Sequence, residues 1–110
     1  MKGYSTPVQK AIICIERDIS ASISLSSLAA MQNISAGYLS TIFKRETGKS
    51  VTEYINSKRI SHAKKLLEKT KLQIQTVAQH CGILDVNYFT KVFKKYAGMT
   101  PKEYRESFKL

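Results

Sequence analysis

One stretch of this sequence occurs twice, 50 residues apart, and this repeat limits the chain to a fold built from two similar units. Residues 38–45 (YLSTIFKR) are matched by residues 88–95 (YFTKVFKK). Upstream, Leu28-Ala29 is matched by Val77-Ala78 at a spacing of 49, so the second copy contains one additional residue. Downstream, the match continues at Gly48 and Gly98, Glu53 and Glu103, and Tyr54 and Tyr104. Two copies of one supersecondary unit explain this agreement better than chance.

The first copy predicts two helices separated by a turn. Ser24 can cap a helix that runs through about Met31, and Ser35 can cap a second helix that ends at Gly48. Apolar residues recur at three- and four-residue spacing within the second helix, as expected for its buried face.

The second copy repeats this arrangement. Residues 74–81 predict a helix, Gly82 interrupts it, and Asp85 can cap a longer helix to about Gly98. Ala78 is small enough to let the two helices approach, and Gly82 can adopt the positive φ that the turn requires. A short helix, a tight turn and a longer helix with basic residues late in its length form the helix-turn-helix pattern. One such pattern is weak evidence, but two in a chain of charge +10 are strong evidence.

Capping boxes predict a further helix after each copy. They are SVTE at residues 50–53 and TPKE at residues 100–103, the second with proline at the first helical position. The first box opens a helix that reaches about Lys69, and Thr6-Pro7 opens another through about Asp18. The sequence therefore predicts an all-α fold of about seven helices with no strand. We interpret it as one domain over residues 1–110, with a first helix-turn-helix subdomain at 6–50, a linking helix at 51–70 and a second subdomain at 71–110.

The positive charge is large and unevenly distributed. Residues 1–55 carry six basic and four acidic side chains, whereas residues 56–110 carry twelve and four. This excess suits an anionic partner, although charge alone fits a merely soluble surface equally well. The longest apolar runs have a few residues, well short of the roughly 20 that span a bilayer. No apolar segment follows Lys2 as a secretory signal requires. We expect a cytoplasmic protein with no membrane partner.

The residues that usually carry catalysis or bind metal are scattered. Cys14 and Cys81 form no CxxC pair, so two buried free thiols are expected. His62 and His80 each stand alone. The sequence contains no nucleophile–base set, glycine-rich phosphate loop or metal-ligand spacing. We therefore expect no catalytic residue, no metal site, no cofactor and no enzymatic activity.

A specific ordered set of residues carries a family resemblance. The set is Leu28-Ala29, Tyr38-Leu39-Ser40, Phe43-Lys44, Gly48, Tyr54, Arg59, Ala63, Leu66-Leu67, Ile74, Val77-Ala78, Gly82, Asp85, Tyr88-Phe89, Phe93-Lys94-Lys95, Gly98, Thr100-Pro101 and Tyr104-Arg105. With it, the chain resembles the DNA-binding domain of AraC/XylS-type transcription regulators over essentially residues 6–108, and looks closest to the response-regulator types. Two positions depart from the family pattern. Ile83 replaces the usual phenylalanine or tyrosine and should still pack, and Thr76 replaces an acidic residue, which affects only a local contact.

The resemblance implies a double-stranded DNA partner, with the second helix of each unit in a major groove. Exposed early positions of these helices would face base edges: Ala36, Gly37, Ser40 and Thr41 in the first unit, and Val86, Asn87, Thr90 and Lys91 in the second. Phosphate contacts would come from Ser35, Lys44, Arg45, Lys94 and Lys95. Asparagine can pair with two atoms of adenine, whereas lysine offers reach with little sequence discrimination. Because the first helix lacks a long donor among its base-facing residues, we expect shape and methyl contacts there and more hydrogen bonds from the second unit.

Each of these assignments has an alternative. The four basic residues near the helix ends can instead form only a solvated face, and Asn87 can be a helix cap. We interpret Tyr38 and Tyr88 as packing residues with a hydroxyl at the interface. Arg59 lies on the apolar stripe of the linking helix, where we favour a structural role, held by a carboxylate or by helix-end carbonyls, over a phosphate contact.

The linking helix sets the expected geometry on DNA. About 19 residues at 1.5 Å each measure roughly 28 Å, close to the roughly 34 Å between successive major-groove faces. The resemblance thus implies two recognition helices in successive major grooves and an asymmetric site of about 20 base pairs, which a monomer can read. RNA polymerase is a further candidate partner. The leading alternative is a helical protein-interaction module whose basic face binds an acidic partner; catalysis and RNA binding rank lower. We favour a fragment of a longer regulator over a complete small one.

Overall fold

The computed structural model describes residues 3–108, and these residues form seven α-helices and no β-strand. The helices are α1 (Thr6–Arg17), α2 (Leu25–Ala30), α3 (Ala36–Thr47), α4 (Val51–Lys69), α5 (Ile74–His80), α6 (Val86–Ala97) and α7 (Pro101–Glu106). The prediction of an all-helical fold with about seven helices is confirmed.

The helices divide into two compact units, and the boundary falls inside α4. The first unit ends at Ile55 and the second begins at Asn56. Along the 19 residues of α4, Val51 and Ile55 belong to the hydrophobic core of the first unit, whereas Ile60 and Leu67 belong to that of the second. One helix therefore serves two separate cores.

The core of the first unit forms around α1. This helix buries Val8, Ala11, Ile12 and Ile15, which recur at the three- and four-residue spacing of an amphipathic helix. The remaining buried residues of this core are Leu28, Ala29, Leu39, Ile42, Phe43, Val51 and Ile55.

The core of the second unit is built on α6. Phe89, Val92 and Phe93 are its buried residues, and the ring centroids of Phe89 and Phe93 lie 5.8 Å apart. The other buried residues of this core are Ile60, Ala63, Leu67, Val77, Ala78, Cys81 and Ile83. Ile83 packs as expected despite replacing an aromatic residue.

The sequence repeat is preserved in the packing of aromatic rings. Phe43 and Tyr54 meet edge-on with centroids 5.4 Å apart, and Phe93 and Tyr104, each 50 residues later, meet with centroids 5.5 Å apart. Such edge-to-face pairs contribute about 0.5–1.5 kcal/mol beyond the burial of the rings. In each unit, the pair joins the longer helix of the helix-turn-helix to the helix that follows it.

The predicted capping boxes are present. The Ser50 hydroxyl accepts from the Glu53 amide at 3.1 Å, and the Glu53 carboxylate accepts from the Ser50 amide at 2.9 Å. Thr100 and Glu103 make the same pair of bonds at 3.2 and 2.9 Å. These reciprocal bonds satisfy amide groups that a helix start otherwise leaves without a partner. They fix where α4 and α7 begin.

The two cysteines differ in environment. Cys81 is buried, and this burial raises the pKa of its thiol to about 12, so the thiol stays protonated. Cys14 is only half-buried, so the expectation of a buried thiol is wrong there: α1 turns Val8, Ile12 and Ile15 inward and leaves Cys14 at the edge of that face. Within residues 3–108, no three His, Cys, Asp or Glu side chains are grouped closely enough to hold a metal ion. No helix in this part of the chain is long and apolar enough to cross a membrane.

Candidate nucleic-acid interface

Both helix-turn-helix units make their turn with the same backbone geometry but with different residues. In the second unit, Gly82 has a φ of 83°, and the Ile83 amide donates to the Ala78 carbonyl at 2.9 Å. In the first unit, Asn33 has a φ of 56°, and the Ile34 amide donates to the carbonyl of Ala29 at 3.1 Å. Asparagine tolerates this left-handed conformation better than other residues with a side chain. Sequence reasoning identified Gly82 and missed Asn33, although the register of the repeat places the two at equivalent positions.

A contact from α1 holds the first turn in place. The side-chain amide of Gln32 donates to the Pro7 carbonyl at 3.0 Å. A second hydrogen bond also involves the start of α1: the Ser5 amide donates to the carboxylate of Glu46 at 2.7 Å, which connects α1 to α3. The position of α3 is therefore fixed by both hydrogen bonds and core packing.

The side chains near the start of α3 are small and weakly polar. Ser35 caps the helix by accepting from the Tyr38 amide at 3.0 Å. Gly37, Ser40 and Thr41 are exposed, and Ala36 is half-buried. The Thr41 hydroxyl donates to the Gly37 carbonyl at 2.9 Å, which leaves its methyl group and its oxygen lone pairs for a ligand. This surface suits close approach and methyl contacts.

The start of α6 carries more hydrogen-bonding capacity. Asp85 caps the helix by accepting from the amides of Asn87 and Tyr88, at 2.9 and 3.3 Å. The alternative that Asn87 acts as a cap is therefore wrong. Asn87 is exposed, and its side-chain amide has no hydrogen-bond partner among residues 3–108. It is free to bind a partner that offers both a donor and an acceptor.

Three further residues complete this surface of α6. Lys91 is exposed, whereas Val86 and Thr90 are half-buried. The Thr90 hydroxyl donates to the Val86 carbonyl at 2.9 Å, so it offers a ligand its methyl group and an acceptor oxygen. Lys91 thus adds a long cationic donor to a row that otherwise offers short side chains.

Exposed cations occupy the last turn of both helices. Lys44 and Arg45 lie in the last turn of α3, and Lys94 and Lys95 lie at the equivalent places in α6. The Nζ atom of Lys95 is 5.7 Å from the ring centroid of Tyr96, which orients its stem. Hydrogen bonds from Thr100 lower the pKa of Glu103, and the charge of Lys94 lowers it further. In each unit, the ends of the longer helices therefore offer positive charge and little hydrogen-bond selectivity.

Tyr38 and Tyr88 are more exposed than expected. Their side chains are 53% and 50% exposed. The residue after each of them, Leu39 or Phe89, takes the inward position instead and is fully buried. The interpretation of these tyrosines as packing residues therefore holds for only about half of their surface, and both residues lie beside the candidate base-facing positions.

Two arginines in the second unit have different surroundings. Arg59 is half-buried, and this burial lowers the pKa of its guanidinium, with Cys81 and Tyr88 close enough to act on it. This environment favours the structural role. Arg105 donates from Nε to the Leu67 carbonyl at 3.2 Å and from Nη1 to the Leu72 carbonyl at 2.5 Å. Arg105 thus binds one carbonyl in the last turn of α4 and one in the segment between α4 and α5.

Comparison with known proteins supports this interpretation of the helices. Residues 28–107 match the family model of a helix-turn-helix domain. The C-terminal domain of AraT, a response regulator from Geobacillus stearothermophilus, superposes with a TM-score of 0.93 at 33% identity, covering 96% of this chain and 88% of that one. The C-terminal domain of the two-component response regulator yesN from Fusobacterium nucleatum gives a TM-score of 0.86 at 38% identity, covering 92% and 99%.

A longer relative shows the same similarity in sequence. The HTH-type transcriptional activator RhaR of Yersinia pseudotuberculosis is 33% identical over 94 residues, which is 86% of this chain and 32% of that protein. The chain thus spans about a third of the length of this relative.

Proposed function

This chain belongs to the AraC-type helix-turn-helix family of DNA-binding transcription regulators, and from that membership we propose that it reads double-stranded DNA sequence-specifically with both of its helix-turn-helix units. One observation carries the proposal most directly. Both α3 and α6 begin with a row of small or polar side chains that are exposed or half-buried, and both end with exposed cations, at equivalent places in the repeat. A recognition helix needs this order, because base edges are read near its start and phosphates flank the groove.

The base-reading residues of the proposal are those at the start of each helix. They are Ala36, Gly37, Ser40 and Thr41 on α3, and Val86, Asn87, Thr90 and Lys91 on α6. The first set offers a close approach and methyl groups, whereas Asn87 and Lys91 offer hydrogen bonds to adenine and guanine respectively. The two units therefore differ in the information they can read.

The phosphate-binding residues surround these rows. They are Ser35, Lys44, Arg45, Lys94 and Lys95. The lysines and the arginine supply charge, which determines affinity and its dependence on salt. Ser35 already accepts a hydrogen bond as the cap of α3, so its hydroxyl can donate to a phosphate oxygen.

The two units are unlike and are joined by one helix, so the proposed site is asymmetric, with its halves in successive major grooves. The repeat is tandem rather than two-fold symmetric, which rules against a palindrome for one chain. In the whole protein, the chain would act as the DNA-reading part of a bacterial transcription regulator in the cytoplasm. Binding as a monomer and contact with RNA polymerase belong to the same proposal.

Selection of bound duplexes from a random DNA library tests the proposal. At about 150 mM salt, non-specific binding to phosphates is weakened, so enrichment reports sequence reading. We expect an enriched asymmetric motif with two half-sites about 10 base pairs apart. Binding that falls steeply with salt and enriches no motif would overturn the proposal and favour a basic surface that docks an acidic protein.

A further inference from the structure

The second helix-turn-helix unit contains one residue that the first unit lacks, and that residue is Leu84. In the first unit, one residue, Ile34, separates Asn33 in the left-handed turn from the cap Ser35. In the second unit, two residues separate Gly82 from the cap Asp85. Ile83 takes the inward position that Ile34 takes in the first unit, so Leu84 is the additional residue.

Leu84 is the most exposed large apolar side chain among residues 3–108. It is 81% exposed, whereas the neighbouring Ile83 is 4% exposed. Burial of Ile83 in the core leaves the next side chain directed to solvent, immediately before the cap of α6. Exposure of a leucine forgoes the roughly 1.5–3 kcal/mol that its burial contributes, so a partner that covers this side chain gains that free energy.

The surface around Leu84 is the start of the proposed recognition helix. Asp85 follows Leu84 directly, and the exposed Asn87, Tyr88 and Lys91 come within the next two turns. The exposed cations of α6 add to this surface, and the second unit carries most of the positive charge of the chain. The apolar side chain is thus continuous with a cationic surface that suits DNA, and a nucleic-acid major groove offers one apolar group, the 5-methyl of thymine.

We propose that Leu84 is a specificity-determining residue that packs against a thymine methyl group in the half-site read by α6. The proposal rests on the DNA-binding function above. It agrees with the neighbouring Asn87, because an adenine bound by asparagine presents its paired thymine methyl in the same groove. The second half-site should therefore require A·T pairs where the start of α6 reads the groove.

Replacement of thymine by deoxyuridine tests this inference, because it removes only the methyl group. The full chain is measured against the enriched duplex and against duplexes in which single thymines of the second half-site are replaced by deoxyuridine. At one position, the unsubstituted protein should bind about fourfold more weakly to the deoxyuridine duplex, the loss expected for one methyl group left unburied. Leu84→Ala should bind both duplexes equally, at the weaker affinity.

A matched control separates this contact from general apolar effects. Met31 is another exposed apolar residue, at 68%, and lies in a groove lined by Ile13 and Cys14 of α1. Met31→Ala should keep the fourfold preference for thymine. Because the Leu84 side chain lies in solvent, its replacement should leave the circular dichroism spectrum and the melting temperature unchanged.

Three results would overturn the inference, and they identify different failures. An enriched motif whose second half-site tolerates deoxyuridine throughout would reject the methyl contact and leave the DNA-reading function standing. A Leu84→Ala protein that retains both the preference and the full affinity would assign the thymine contact to another residue. A Leu84→Ala protein weakened equally on both duplexes would place Leu84 against sugar or backbone. Absence of any enriched motif would instead reject the proposed function itself.

Discussion

The Nη1 atom of Arg105 donates a hydrogen bond to the backbone carbonyl of Leu72 at 2.5 Å, so a side chain of α7 holds the segment that leads from α4 into α5. Nε of the same guanidinium binds the Leu67 carbonyl at 3.2 Å, near the end of α4. A planar guanidinium can bridge two carbonyls in a fixed geometry, which the ammonium group of lysine cannot do.

We expect Arg105→Lys to lower the free energy of unfolding of the second unit by about 1–2 kcal/mol, because hydrogen bonds from a charged group contribute about 1.5–3 kcal/mol and lysine retains part of that. Native-state hydrogen exchange would locate the loss in α5 and α7 and leave the first unit unchanged. Arg45→Lys on the exposed surface of α3 is the control. Equal stability of the two variants would show that the carbonyl contacts contribute little.

Replacement of Gly37 should affect helix stability and DNA binding in opposite directions. A β-carbon added at Gly37 meets no atom within 4 Å, and the residue is the second of α3. We expect Gly37→Ala to raise the free energy of unfolding by up to about 0.5 kcal/mol, since alanine is the better helix former but Gly37 lies in the first turn of α3. The same methyl group should weaken DNA binding, because it keeps α3 from the base edges. A variant that is both more stable and unimpaired in binding would contradict the role proposed for Gly37.

Gly48 provides the contrasting control. It also has open space around it, but its φ is +81°. Alanine there should destabilise the first unit by about 1–2 kcal/mol through backbone strain alone. Chemical denaturation followed by circular dichroism measures both glycine variants.

Asn87 should contribute specificity without stability. Since its amide has no partner within residues 3–108, Asn87→Ala should leave the melting temperature unchanged. The free energy of binding to the selected site should become less favourable by about 1–3 kcal/mol, and the preference for adenine at one position should disappear. Competition binding against duplexes altered at single positions measures both effects. Asp85→Ala, which removes the cap of α6, should show the opposite pattern, with stability lost by about 0.5–2 kcal/mol.

Lys94 and Lys95 should determine affinity but not sequence preference. Each replacement by glutamine should weaken binding to all duplexes alike and reduce the slope of log affinity against log salt by about 0.9. A salt titration of each variant measures the slope. Lys10→Gln on α1 makes the same change in net charge away from the recognition helices and should keep the original slope. A slope unchanged in the Lys94 and Lys95 variants would support the alternative of a solvated face.

The hydroxyl group of Tyr104 should lose its proton at a higher pH than an ordinary tyrosine. Burial, together with the hydrogen bond that its hydroxyl donates to Glu68 and the negative charge of Glu68, raises its pKa to about 12. A folded-state pKa above the ordinary value of 10.0 means that this contribution to stability is complete below pH 10 and is lost as the pH rises to about 12. Ultraviolet absorbance should show a tyrosinate that forms near pH 12 and is absent in Tyr104→Phe. In Glu68→Gln, the titration of Tyr104 should move to lower pH, and an unmoved titration would exclude Glu68 as a cause.

Local signals in the sequence were sufficient for much of the fold. Ser35 and Asp85 cap the helices that their positions predicted, and both capping boxes form, because a cap depends on residues three positions apart. The positive φ of Asn33 depends equally on local structure, but an asparagine indicates it less clearly than the glycine at the same place in the second unit.

Contacts between distant residues could not be predicted in the same way. The partners of Arg105 lie 33 and 38 residues away, and no periodicity connects them to it. The exposure of Tyr38 depends on which neighbour the core accepts, and Leu39 fills that place. At the candidate interface, the residue types indicated chemistry, whereas the solvent exposure of the Asn87 side chain depends on how α6 packs in the second unit.

Helix α4 divides its buried residues between two cores, with Ile55 in one and Ile60 in the other. The cooperativity of unfolding is therefore determined by the few residues between them. If the helix stays intact between these residues, the two units unfold together. A proline in that stretch destabilises the helix by about 3 kcal/mol and would give two separate unfolding transitions. On DNA, the same few residues decide whether the protein dissociates in one step or releases one half-site while it still holds the other.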